Sequence, residues 1–152
     1  MKLMRQRPKN GFTLLELLIV IAVISILAAI AVPRFAESIR TSNEGGTKGT
    51  LTAVRSGLSI YYSDMEGQFP SNLDPLTTAG NKYFKAPGNL LSVYTQPHGR
   101  VNDNGSIEYV ASFSGDTGDT GHWGYVNSGT EKGKIFVQCT HTDTKGSVWT
   151  SY

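Results

Sequence analysis

Cysteine is almost missing. Cys139 is the only one in 152 residues, so no disulfide can close within the chain. The paired-thiolate spacings of structural zinc sites are absent for the same reason. Histidine is nearly as sparse, at His98, His122 and His141. Cys139 and His141 stand two apart and would share one face of a strand, which fits packing as well as metal binding. No nucleophile–base arrangement, phosphate-binding glycine loop or cofactor signature occurs, so enzyme activity is not expected. Nor is there a basic patch interleaved with aromatics, which argues against a nucleic-acid partner. Acids are missing from the first fifteen residues, while Lys2, Arg5, Arg7 and Lys9 crowd that stretch.

What is there in excess is apolar. In "GFTLLELLIVIAVISILAAIAVPRF", Gly11 to Phe35, only Ser25 interrupts the run from Leu17 to Val32. That is close to the ~20 residues a helix needs to cross a bilayer. The basic residues ahead of it favour a cytoplasmic N-terminus and export of the chain beyond the helix. A secretory signal would have a shorter run ending in small residues, and "AAIAV" imitates such an ending. The length of the run and the carboxylate of Glu16 inside it both argue against a disposable signal. A charge in that position is costly, and such residues mark function.

The residues "KNGFTLLELLIVIAVISILAAIAVPRF", 9–35, resemble the N-terminus of type IV prepilins and of the pseudopilins of type II secretion systems. Basic leader, Gly-Phe junction, glutamate and unbroken apolar helix come in the same order. The resemblance implies that a membrane-embedded prepilin peptidase cuts between Gly11 and Phe12 and that the new terminus, Phe12, is N-methylated. Residues 1–11 would be the leader, 12–34 the membrane-spanning and assembly helix, and 35–152 a periplasmic or extracellular globular domain. The mature chain would keep 14 − 4 = 10 bases against 12 acids, so the basic balance belongs to the precursor.

In a filament of such helices, Glu16 would face the ammonium group of Phe12 on an adjacent subunit. Buried ion pairs contribute little net stability, but leaving one member alone is heavily penalised, so the pair would set register. On this view the unassembled subunit holds Glu16 unpaired in lipid. The alternative is a side chain that merely snorkels to the membrane interface.

Beyond Pro33 the pattern is helical. Leu51, Val54, Leu58, Tyr61 or Tyr62 and Met65 recur at three- and four-residue steps. Weak points are expected at Pro33 and across 43–49, where Gly45, Gly46 and Gly49 cluster. Residues 67–102, with Pro70, Pro75 and Pro87, read as loop. Strands are expected over 106–114, 122–128 and 133–141, with an edge strand or tail after them. The fold class is α+β: a long N-terminal helix packed on a small antiparallel sheet, as in type IV pilins.

Major pseudopilins commonly lack the cysteine pair of type IV pilins, and some hold the equivalent region with calcium. "EYVASFSGDTGDTGHW", 108–123, is similar to that calcium loop. The resemblance implies Asp116 and Asp119 as ligands, with Ser112, Ser114 or nearby carbonyls adding oxygen. The loop is shorter than the family's and has no adjacent acid pair, so Asp143 or several carbonyls would have to complete the site. The simpler reading is a solvated Asp-Gly-Thr turn.

"EGQFPSNLDPL", 66–76, and the missing disulfide favour a major pseudopilin that polymerises in the periplasm to drive type II secretion. Its implied partners are copies of itself, the peptidase, the inner-membrane assembly platform, minor pseudopilins and the bilayer. The chain would then be a single-pass inner-membrane protein. A type IV pilin of a surface filament, for adhesion or motility, is the alternative. A membrane-anchored binding domain is the third, and it gives no account of Glu16 or of the Gly11–Phe12 junction.

Overall fold

A computed structural model describes residues 11–78, 82–83, 93–95, 97–101, 107–113 and 118–152. The longest element is α1, Leu14–Asp64, followed by a five-residue helix α2, Asp74–Thr78. Then come β1 (Val93–Thr95), β2 (Gly99–Val101), β3 (Ile107–Val110), β4 (Trp123–Val126), β5 (Ile135–Val137) and a 3-10 turn, Trp149–Ser151. The chain forms two compact units, residues 1–39 and 40–152.

In the first unit the apolar side chains lie exposed: Phe12 is 76% and Leu14 80% accessible. The one polar interruption is satisfied internally, since the Ser25 hydroxyl donates to the Ile21 carbonyl at 2.7 Å, which lowers its cost in lipid. Among the described residues α1 is the one helix long and apolar enough to cross a membrane.

The helix is continuous across both expected weak points, Pro33 and 43–49. Proline removes one backbone donor, a loss a long helix absorbs. At Gly45, Gly46 and Gly49 an added Cβ would meet nothing, so these glycines lie on an open face. The residues beside them are tied down. Glu44 is buried and accepts from the Thr144 amide and hydroxyl at 3.0 and 2.6 Å. The Thr47 hydroxyl accepts from the Tyr94 amide at 3.0 Å. Those long-range bonds outweigh the propensity cost of the glycines.

Leu51, Val54 and Leu58 are buried as the periodicity predicts, with Tyr61 partly buried beside them. Tyr62 and Met65 are exposed, so the stripe ends one turn earlier than expected. The stripe packs on Trp123, Tyr125, Ile135 and Val137, and Leu73, Leu76, Val93, Cys139 and Trp149 complete the core. Tyr125 donates its buried hydroxyl to the Pro70 carbonyl at 2.7 Å, which seats the proline-rich stretch after α1 on the sheet.

The α+β class holds, but the sheet is mixed and not wholly antiparallel. β4 lies between β3 and β5, parallel to β3 (Ile107↔Trp123) and antiparallel to β5 (Trp123↔Val137). The connection from β3 to β4 is therefore a crossover, because parallel neighbours cannot be joined by a tight hairpin. Inside the stretch read as loop, β1 and β2 make a separate hairpin (Val93↔Val101) whose turn carries His98. The expected terminal edge strand is a single bridge, Thr142↔Val148, followed by the 3-10 turn.

Gly124 sits opposite Phe136, and a Cβ there would collide with the Phe136 ring. That ring is fully buried and touches Phe113 edge-on, so it has little room to retreat. Gly124→Ala should lower unfolding stability by ~1–3 kcal/mol through overpacking. Adding Phe136→Leu should restore part of the loss; tryptophan-monitored urea denaturation of the two variants checks both.

Candidate functional site

The N-terminal motif is built from a few bonds. Gly11, Phe12 and Thr13 are exposed and precede the helix, so the Gly11–Phe12 peptide is outside the helical ladder. Thr13 caps α1. Its hydroxyl accepts from the Glu16 amide at 3.2 Å, and Glu16 Oε2 accepts from the Thr13 amide and hydroxyl, both at 2.8 Å. This is a capping box, Thr-x-x-Glu, in which cap and third residue satisfy each other's orphan donors. In the single subunit the Glu16 carboxylate therefore has two neutral donors, both from Thr13, while the charge partner expected for it would belong to an adjacent subunit. The signal was legible, since "TLLE" precedes an apolar run.

The head domain holds a second polar constellation. Asp143 is buried and receives Lys48 Nζ, the Tyr152 hydroxyl (2.7 Å) and the amides of Lys145 and Ser147 (2.9 Å each). Burial pushes its carboxyl up, but the lysine, tyrosine and two amides outweigh burial and hold it well below the usual range. Arg55 adds donors to the Ile135 and Tyr152 carbonyls at 2.9 and 2.6 Å. The C-terminal segment is thus tied to the second half of α1.

A third cluster joins three loops. His98 comes from the β1–β2 turn, Asp119 from the crossover before β4, and Cys139 and His141 from the exit of β5. His98 Nε2 lies 3.1 Å from Asp119 Oδ1, and His141 Nδ1 lies 3.0 Å from Asp119 Oδ2. The Thr140 amide donates to Asp119 at 3.1 Å. Burial opposes ionisation of Asp119, but that amide and the two imidazoles prevail and lower its pKa. Burial pushes the Cys139 thiol up. His122, the third histidine, is not in the cluster.

Of the residues read as calcium ligands, Asp116 and Ser114 lie outside the described residues. Asp119 is described, with its carboxylate facing the two histidines. No sequence signal joins His98 to the distant residues of β5; the hairpin and the crossover do that.

A 51-residue helix, apolar and exposed in its first half and packed on a small mixed sheet in its second, defines a pilin-like α+β subunit. A family model described as "Prokaryotic N-terminal methylation motif" matches residues 6–32. The chain is 38% identical over 66 residues to competence protein ComGC of Bacillus subtilis, covering 43% of this chain and 67% of that one. It is 36% identical over 86 residues to the type IV major pilin protein PilA of Myxococcus xanthus (55% and 39%). To type II secretion system core protein G of Aeromonas hydrophila it is 30% identical over 84 residues (55% and 58%). No solved structure matches. The chain belongs to the type IV prepilin and pseudopilin family. It spans only part of these relatives' length, from 39% to 67% among the three.

Proposed function

We propose that this chain is the repeating subunit of a periplasmic filament that drives type II protein secretion, a major pseudopilin. Prepilin peptidase cuts after Gly11 and methylates Phe12. Helix 12–34 holds the subunit in the inner membrane with its N-terminus cytoplasmic, and residues 35–152 face the periplasm. Copies then assemble through Glu16 and the Phe12 amine, on a membrane platform and with minor pseudopilins.

The observation that supports the reading is the match to the secretion protein, which spans 84 residues and 58% of its length; the Myxococcus pilin matches over 86 residues and 39% of its length. The seating of the proline-rich stretch on Tyr125 fits the same reading. The pilin relative favours a second one, a surface filament for adhesion or motility. Deleting the gene separates them. A pseudopilin deletion leaves folded exoproteins in the periplasm and the cell surface unchanged, whereas a pilin deletion removes surface fibres and spares the secretome.

Processing has its own test. The intact mass of the membrane-extracted protein should lack residues 1–11 and carry one added methyl group. Protein beginning after "AAIAV" would mean that the apolar run is an ordinary signal and that the filament reading is wrong.

A further inference from the structure

Two imidazoles, a thiol and a carboxylate come together at the edge of the head domain. The donor atoms of His98, Asp119, Cys139 and His141 all lie within 4.8 Å of one another. We propose that these four residues form a binding site for a divalent transition metal, zinc by the chemistry of its donors, and that the ion ties three loops of the head domain together. This proposal is independent of filament type.

The geometry is already close to a coordination shell. A tetrahedral zinc ion with bonds of ~2.0–2.3 Å keeps its ligand atoms ~3.3–3.8 Å apart. Asp119 Oδ1 lies 3.1 Å from His98 Nε2 and 3.2 Å from His141 Nδ1, and Cys139 Sγ lies 3.7 Å from His141 Nδ1. The rings of His98 and His141 meet edge-on at 5.3 Å, so their nitrogens converge without the rings stacking. The donor set decides the metal. Nitrogen, sulfur and one carboxylate suit zinc, whereas calcium asks for six to eight oxygens.

The supporting groups are in place as well. The Thr140 amide orients Asp119, as groups behind metal ligands commonly do. Thr95 is fully buried, and its hydroxyl has no hydrogen-bond partner among the described residues. The backbones are held too. Trp149 and Thr150 donate to the carbonyls of His141 and Cys139, and Gly121 donates to that of Gln138. Gly121 has φ +74°, and an added Cβ would come within 3.0 Å of His98, so a glycine lets the crossover approach the hairpin turn.

Such an ion would supply what a chain with one cysteine cannot obtain from a disulfide, a cross-link between distant loops. Cys139 is buried at the floor of the site, while Asp119 and His141 are exposed at its mouth, which leaves an entry path. On binding, the thiol gives up its proton to solvent and each imidazole presents an unprotonated nitrogen.

The test uses the full-length chain, without a histidine tag, purified in detergent and stripped with chelator. Cobalt(II) should bind one ion per chain and produce a thiolate-to-cobalt charge-transfer band, which zinc then abolishes by displacement. Zinc should raise the melting temperature by several degrees, and calcium should not. His141→Ala, a change at an exposed position, should weaken zinc binding by at least about tenfold to a hundredfold, the range that losing even a supporting group produces. Cys139→Ser should remove the charge-transfer band, its fold being checked by near-ultraviolet circular dichroism before metal is added. Cobalt binding without the band, or zinc affinity unchanged in His141→Ala, overturns the site. A calcium-induced melting shift that zinc does not reproduce would overturn it in favour of an oxygen-ligand site.

Discussion

Glu16→Leu subunits should be inserted, cut after Gly11 and folded outside the membrane, yet leave cells without filaments. Removing the carboxylate eases insertion of the single subunit, because a charge in the apolar run is costly. In the assembled state the same change strands the Phe12 ammonium of a neighbour. An unpaired buried charge is severe enough that subunit association should weaken by about a hundredfold or more.

The capping box adds a second possible cause, since Glu16 also satisfies the Thr13 amide and hydroxyl. Glu16→Gln separates the two. Glutamine keeps the reciprocal cap but carries no charge. If charge neutralisation sets register, the glutamine variant fails to assemble just as the leucine variant does. Filaments built from Glu16→Gln alone would make the cap the reason for the residue. Electron microscopy of sheared filaments, with immunoblots of the membrane fraction for processing, reads both outcomes.

Asp143→Ala is expected to be a damaging change in the head domain, costing ~1–3 kcal/mol by leaving the donors that face the buried carboxylate, Lys48 among them, without their acceptor. The turn 143–147 would also lose the acceptor that holds its two amides. Asp143→Asn keeps an acceptor for those amides and should cost less. Combining Asp143→Ala with Lys48→Met should recover part of the loss, because removing both members is milder than removing one.

The depressed carboxyl also sets a pH dependence. A group whose folded pKa lies below its unfolded value contributes stability above the unfolded value, 3.8 here, and loses it as pH falls through the folded one. Acid should therefore weaken the wild type below about pH 4–5, as the unfolded carboxyl begins to bind protons. Asp143→Asn should show a shallower acid limb. Urea midpoints across that pH range measure it.

The N-terminal third was legible because its constraints are local. An apolar run long enough for a bilayer, a basic leader and a lone glutamate carry their physics in order along the chain, and Thr13 completes the cap three residues away. The stripe Leu51, Val54, Leu58 was legible too, since helical periodicity depends only on near neighbours. The three strands of the sheet were located from their β-branched and aromatic residues, although each proved shorter than its pattern.

Tertiary structure decided the rest. Glycines 45, 46 and 49 mark a weak point in the helix, and bonds from Thr144 and Tyr94, about fifty to a hundred residues away, help to hold that turn. Strand direction is set by where the crossover from β3 to β4 returns the chain, and alternation along a strand is the same for parallel and antiparallel partners. The hairpin β1–β2 hid in a stretch whose prolines read as loop. The grouping of His98, Asp119, Cys139 and His141 comes from that hairpin, that crossover and the β5 exit meeting at one edge. No spacing in the sequence encodes it, because the distances that matter there run through space and not along the chain.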